Sequence, residues 1–287
     1  MTFESDEEGS ETLAPAVPGE TFELTDPAFG RLVVYRDGDT RPGEAPVLLI
    51  HSVNAAASAF EMRPLYQRLA KERPTYTFDL PGFGLSDRTA RLYTPRLMTD
   101  AVHAVVEAIG ERHPDMPVDA VALSLSSEFL ARAATERPDA FRTVALISPT
   151  GLDRRGRRDG PPETTKGSAV VRSIVTCGLW DDLLFSWLTR PRVVRYFLEK
   201  AFGRPGVDEG LQRYAVDTAQ EPGAKHAPFS FLSGYLFSAD ITRVYEALDR
   251  PVFMVHGVRG DFVDFTGAEP MRARGWEIQE YPTGALP

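Results

Sequence analysis

Residues 119–129 read Asp-Ala-Val-Ala-Leu-Ser-Leu-Ser-Ser-Glu-Phe, an apolar run that meets three serines and then a helix-like stretch. A serine can act as a nucleophile when a tight strand-to-helix turn lifts its hydroxyl clear of both elements and a base activates it. Strand and helix pass so close at such a turn that the residues two before and two after the serine must be small. Centring on Ser124 puts Ala122 and Ser126 at those positions, and both are small. Centring on Ser126 puts Glu128 at the second position, and glutamate is too large for the crossing. Ser127 falls inside the helix. Ser124 is therefore the candidate nucleophile, with simple capping of the helix by the serines as the alternative reading.

The elements needed to position such a serine can be read on both sides of it. Residues 31–38 and 75–78 have strand character, and the continuous apolar run 45–52 marks a strand buried on both faces. Residues 59–72 have helical spacing, and 94–111 read as a helix with Thr94 as N-cap and Pro95 at its first position. Strand 118–123 feeds the helix that starts near 126, and apolar runs return at 141–151 and 250–257. Strands alternating with helices predict a mostly parallel α/β sheet covered on both faces. In such sheets ligands bind beyond the carboxyl ends of the strands. Four segments bring chemistry there: His51-Ser52-Val53-Asn54, Asp79 to Asp87, Ser124 to Ser127, and His256 to Asp264.

The pattern breaks at 152. A charged, Gly/Pro-rich stretch precedes a mostly helical block that carries Trp180, Phe185, Trp187, Tyr196, Phe197, Tyr214, Phe229, Phe231, Tyr235 and Phe237. The expected organisation is an acidic disordered tail over 1–22, a core over 23–151, a helical cap over 152–247 and the rest of the core over 248–287. The 287 residues, 43% of them apolar, suffice for a sizeable core. A net charge of −9 argues against a nucleic-acid partner. The single Cys177 excludes an internal disulfide framework and a Cys-based metal site. No apolar run is long enough for a transmembrane helix, and the acidic start lacks the features of a signal peptide, so the cytoplasm is the expected location.

At this point the chain resembles the α/β-hydrolase family over roughly 30–150 and 248–287, with the cap region matching in position and helical character. "VLLIHSVNAAASAFEMRPLYQRLA" is similar to the family's oxyanion strand and following helix, and "TFDLPGFGLSDR" to its D-x-P-G-x-G-x-S loop. "RPVFMVHGVRGDFVDF" resembles its penultimate strand and acid-bearing turn. The resemblance implies that Ser124 attacks a carbonyl and that the N–H groups of Leu125 and Val53 hold the oxyanion, with Ser52 beside them where the family usually has glycine. Losing one such donor typically costs about 10²–10³ in rate. Asp261 would be the triad acid, with Asp264 and Asp153 as alternatives. Asp79 and Asp87 are expected to shape their own loop, in which Gly82 and Gly84 permit positive φ. His51 is expected to bond within the oxyanion loop.

The family's chain order, Ser, Asp, His, requires a histidine after Asp261. The five here are His51, His103, His113, His226 and His256, and none follows it. The resemblance places the base just beyond Pro287, so the expectation is a chain truncated before it and impaired as it stands. The function implied is a cofactor-free serine hydrolase acting on a small or medium, largely apolar ester or related acyl compound, with no metal. A Ser nucleophile disfavours the haloalkane dehalogenase and epoxide hydrolase branches, and leaves carboxylesterases, lipases, C–C hydrolases and perhydrolases open. The alternative is a non-catalytic ligand-binding protein of the same fold.

Overall fold

The computed structural model describes residues 13–41, 43–153, 160–203, 205–259, 264–282 and 284. Its framework is an eight-stranded sheet. In chain order the strands are β1 (Glu20–Asp26), β2 (Gly30–Asp37), β3 (Val47–Ile50), β4 (Thr75–Phe78), β5 (Val118–Leu123), β6 (Phe141–Ile147), β7 (Val252–Gly257) and β8 (Glu277–Tyr281). Their spatial order is β1-β2-β4-β3-β5-β6-β7-β8. β1 and β2 are antiparallel to their neighbours, and every other pairing is parallel. The α/β architecture read from the alternation of apolar runs and helical spacing is thus the observed one.

The helices follow from local sequence. Between β3 and β4 lies α1 (Arg63–Leu69), preceded by a single 3₁₀ turn, Ala59–Met62. α2 (Pro95–Arg112) starts where Thr94 accepts a hydrogen bond from the Leu97 N–H at 3.3 Å, with Pro95 at its first position. Its buried stripe, Met98, Ala101, Val102, Val105, Val106 and Ile109, repeats at helical spacing and packs into the main core. α3 (Ser126–Glu136) leaves β5 through a two-residue turn and is buried along nearly its whole length.

Five helices follow β6: α4 (Ala169–Val175), α5 (Asp181–Leu188), α6 (Pro191–Phe202), α7 (Glu209–Gln220) and α8 (His226–Leu232). A short antiparallel neck joins the two ends of this insertion. The Lys166 N–H donates to Phe237 O at 2.9 Å, the Ala239 N–H donates to Thr164 O at 2.9 Å, and Thr165 bridges Ser238. The next helix, α9 (Ile241–Glu246), packs on α3 within the core layer. α10 (Glu269–Arg272) links β7 to β8.

One boundary differs from the sequence expectation. The tail expected through residue 22 is ordered from Leu13 onward, and β1 begins at Glu20. Ala16 and Val17 are buried beside Tyr35 and Tyr66. Two tyrosine hydroxyls hold this segment: Tyr66 donates to Pro18 O at 3.0 Å and Tyr214, on α7, donates to Ala14 O at 2.8 Å. Residues 1–12, which carry most of the acidic composition, lie outside the described residues.

Candidate active site

The turn between β5 and α3 is a strained one. Ser124 has φ +57°, left-handed backbone that a non-glycine residue adopts at a cost of about 1–3 kcal/mol. Its N–H still donates to Ile147 O at 2.8 Å, extending the β5–β6 ladder by one residue. Its C=O accepts the Ser127 N–H at 3.1 Å, so the helix begins at once. A serine at the tip of such a turn is half-exposed while both flanking elements are buried. Leu125 follows with helical φ and ψ. Among the described residues, no acceptor takes the N–H of Leu125 or that of Val53.

The two neighbouring serines of the segment are engaged otherwise. The Ser126 hydroxyl donates to the backbone carbonyl of His51, which ties the start of α3 to the end of β3. Ser127 is fully buried, its hydroxyl directed back to Ala122 O at 3.4 Å. Glu128 is buried as well; its carboxyl accepts from Thr150 Oγ1 and, at 2.8 Å, from the Ser238 N–H at the neck of the insertion. Burial pushes that carboxyl above the ordinary glutamate range, against the lowering effect of those two donors.

The loop after β3 is built around His51 and Glu61. His51 Nε2 accepts the Leu80 N–H at 3.0 Å, which leaves Nδ1 to donate to Ser52 O at 2.6 Å. Both ring nitrogens are thereby occupied, as expected for a residue that shapes the loop. The Ser52 N–H donates to Glu61 Oε2 at 2.8 Å. Ser52, directly before Val53, therefore presents a hydroxyl, its own N–H being taken by Glu61. Asn54 Nδ2 donates to Glu61 Oε1 at 2.7 Å and to Ser52 Oγ at 3.1 Å. Nothing in the sequence singled out Glu61, because no spacing rule links it to His51.

Asp79 to Asp87 forms the structural loop expected of it. Asp79 is fully buried and accepts from Tyr35 Oη at 2.7 Å, the Ala59 N–H at 2.8 Å and the Leu85 N–H at 2.9 Å. A β-carbon on Gly84 (φ +51°) would meet the Asp79 carboxyl at 1.9 Å, so glycine is required there. Asp87 accepts the Arg31 N–H at 3.0 Å.

Asp261 lies outside the described residues. Asp264 accepts from the N–H and hydroxyl of Thr266, two residues on, and caps its own turn. Asp153 is exposed beyond the end of β6. None of the five histidines makes a hydrogen bond to Ser124 among the described residues. His103 bonds Glu136, His113 bonds Tyr76, and His256 lies 4.3 Å from the Phe265 ring. His226 stands at the start of α8, its pKa lowered by burial and then by Lys225. The described residues contain no cluster of three or more metal-ligating side chains, and no helix long and apolar enough to cross a membrane.

The aromatic side chains of the insertion differ in their surroundings. Phe185 and Phe229 pack edge to face at 5.9 Å in a small buried cluster with Ala219 and Ala224, and Ala56 of the loop after β3 packs against it. Trp180, Trp187, Tyr196 and Phe197 are half-exposed on the outside. The Phe185–Phe229 cluster reaches the loop after β3 through Ala56, and Tyr214 stacks on Phe60 at 4.8 Å in the cluster that holds Leu123.

Comparison with known proteins agrees with this fold. A family model described as the alpha/beta hydrolase fold matches residues 45–263. The chain belongs to the α/β-hydrolase family. No curated protein sequence matches it. Among solved structures it is similar to a serine hydrolase involved in carbazole degradation (14% identity, TM-score 0.66, covering 93% of this chain and 92% of the other). It is also similar to 2-hydroxy-6-oxo-6-phenylhexa-2,4-dienoate hydrolase from a Rhodococcus strain (17%, 0.63, 91% and 90%). A third is an enol-lactonase from Burkholderia xenovorans (18%, 0.59, 89% of each chain). At these identities the likeness is one of fold.

Proposed function

We infer that the protein is a serine hydrolase in which Ser124 attacks the carbonyl of a small, apolar ester or related acyl compound. The observation that carries this reading is the elbow itself. A strained serine stands at the carboxyl edge of the sheet, and two N–H groups without acceptors among the described residues, those of Leu125 and Val53, lie on the segments that flank it. Backbone strain of this kind persists only where the surroundings over-determine it, and it collects at reactive sites. Attack by Oγ would form the tetrahedral adduct, and the two N–H groups would receive the charge that develops on the former carbonyl oxygen. The amino end of α3 adds a favourable partial charge at the same place. The Phe185–Phe229 cluster, in contact with the oxyanion loop through Ala56, supports an apolar acyl or alcohol group, with the helical insertion acting as a cap. The similar carbazole-degradation, dienoate and lactone enzymes support a carbonyl substrate. Asp261 is proposed as the acid of the triad.

One observation favours a second reading, a ligand-binding protein without catalysis. No described histidine bonds Ser124, so no base is seen to activate it. A fluorophosphonate probe applied to the full-length gene product separates the two. Labelling of the folded protein that disappears in Ser124→Ala establishes the hydrolase. A folded protein that resists labelling, yet binds apolar esters without turnover, establishes the binder.

A further inference from the structure

We propose that Glu61 is the positioning residue of the oxyanion hole, and that its carboxylate aims the Val53 N–H; the inference rests on the hydrolase reading above. The Val53 N–H belongs to the peptide between Ser52 and Val53. In a trans peptide the C=O and the N–H point in opposite directions, so anchoring one aims the other. The Ser52 carbonyl is anchored by His51 Nδ1 at 2.6 Å. The preceding N–H, that of Ser52, is anchored by Glu61 Oε2 at 2.8 Å. On the far side of Val53, the Asn54 amide is held by Glu61 Oε1 at 2.7 Å, and its Oδ1 accepts the Ala56 N–H at 2.8 Å. One carboxylate thus holds the residues before and after Val53, and each of its oxygens serves one of them.

The support continues into the sheet. Glu61 lies on the 3₁₀ turn Ala59–Met62, and the first N–H of that turn donates to the fully buried Asp79 at 2.8 Å. Asp79 is in turn fixed by Tyr35 and Leu85. A rigid path therefore runs from the loop after β4, through Glu61, to the donor. It also accounts for Ser52 in a position the family usually gives to glycine. The serine hydroxyl accepts from Asn54 Nδ2 at 3.1 Å and joins the same network. Charge alone would make Glu61 unfavourable here, since a carboxylate near a developing oxyanion opposes it. Its role must then be geometric, and that distinction is testable.

The test measures inactivation of the full-length protein by a fluorophosphonate, separating the maximal rate of phosphonylation from the concentration for half-saturation. Misplacing a donor by about an ångström costs up to about 10²-fold in rate. Glu61→Ala is expected to lower the maximal rate by about 10–100-fold and to leave half-saturation nearly unchanged. Glu61→Gln keeps an acceptor oxygen for the Ser52 N–H and should recover most of the loss. Asn54→Ala removes one arm of the network and should fall between wild type and Glu61→Ala. Equal maximal rates in wild type and Glu61→Ala overturn the proposal and leave the hydrolase reading intact. A Glu61→Gln faster than wild type also overturns it, because charge would then outweigh geometry. If Glu61→Ala fails to fold, the other two variants decide by the same criteria. A folded wild type that is never phosphonylated overturns the hydrolase reading, and this inference with it.

Discussion

The two ends of β5 are built on opposite principles. At its start, Asp119 faces Val47 on one neighbouring strand and Thr143 on the other. Its carboxylate accepts from Arg73, from Arg142 (Nε at 2.8 Å) and from the Thr143 hydroxyl at 2.6 Å. Burial would raise its pKa, but these partners outweigh burial and hold it at about 2. At the other end, four residues beyond the strained Ser124, the buried Glu128 is served by one hydroxyl and one N–H, and there burial prevails and the pKa rises. One strand thus carries a fully compensated carboxylate where the sheet needs holding. Beyond its other end the chain turns through the strained Ser124, where chemistry is proposed, into α3, which carries the under-compensated Glu128. The difference teaches that the compensated charge and the proposed nucleophile sit at opposite edges of the sheet.

The sharpest way to break that division is to exchange what each end is asked to do. Ser124→Ala removes the nucleophile and should abolish fluorophosphonate labelling, a loss beyond about 10³-fold, with the melting temperature close to wild type. Asp119→Asn should do the reverse, leaving the labelling rate within about twofold, as expected for a residue at the far edge of the sheet. Loss of labelling in Asp119→Asn in a folded protein would end the division.

Much of the Ser124 turn was legible in the sequence because its constraint is local. A close strand–helix crossing demands small residues at 122 and 126, and that demand is visible in five consecutive letters. Gly84 was legible for a similar reason, since a loop that wraps its own aspartate needs a residue without a side chain. Glu61 was not legible. Its role depends on where a 3₁₀ turn places it relative to the end of β3, which no periodicity encodes. The ordered segment 13–19 was missed because acidic composition was read as disorder, whereas two tyrosines from distant helices hold its backbone. Which aromatics of the insertion are exposed, such as Trp180, Trp187 and Tyr196, was not legible, since composition alone does not say which way a helix faces. The acid at 261 lies outside the described residues, so its expected role is a proposal that the elbow's geometry leaves standing.

Stability against pH sharpens the comparison. Asp119 has a depressed pKa, so its stabilising contribution is present above its ordinary value near 3.8 and is lost as the pH falls through about 2. A shift of this size corresponds to about 2 kcal/mol. Asp119→Asn should therefore lose about 2 kcal/mol in denaturant unfolding at pH 7, and the wild-type and variant curves should converge toward pH 2. Glu128 has the opposite sign. Its carboxyl keeps a proton to higher pH when folded than when unfolded, so ionisation costs stability increasingly as the pH rises above 4.5. Glu128→Gln keeps the shape and an acceptor for the Ser238 N–H. It should gain relative to wild type as the pH rises from 4 to 8. A Glu128→Gln variant that loses ground over that range would show that the carboxylate is compensated after all, and the contrast between the two ends would fail.

The smallest effect isolates the strain itself. Glycine adopts left-handed backbone without the steric cost that a β-carbon incurs, though it also loosens the unfolded chain. At Ser124, with φ +57°, relief should exceed that entropic loss, and Ser124→Gly should raise stability by about 1 kcal/mol while labelling vanishes. Two residues on, at Ser126, the same substitution should act in the other direction. Ser126 opens a right-handed helix, and its hydroxyl bonds the His51 carbonyl, so Ser126→Gly relieves nothing and removes that tie. A loss of about 1 kcal/mol is expected there, even though glycine is the residue usual at this position of the elbow motif. If both glycine variants lose stability, the elbow holds Ser124 without appreciable strain, and its conformation follows from packing alone. If Ser124→Gly gains and Ser126→Gly loses, the reactive end of β5 stores free energy at the one residue proposed to use it.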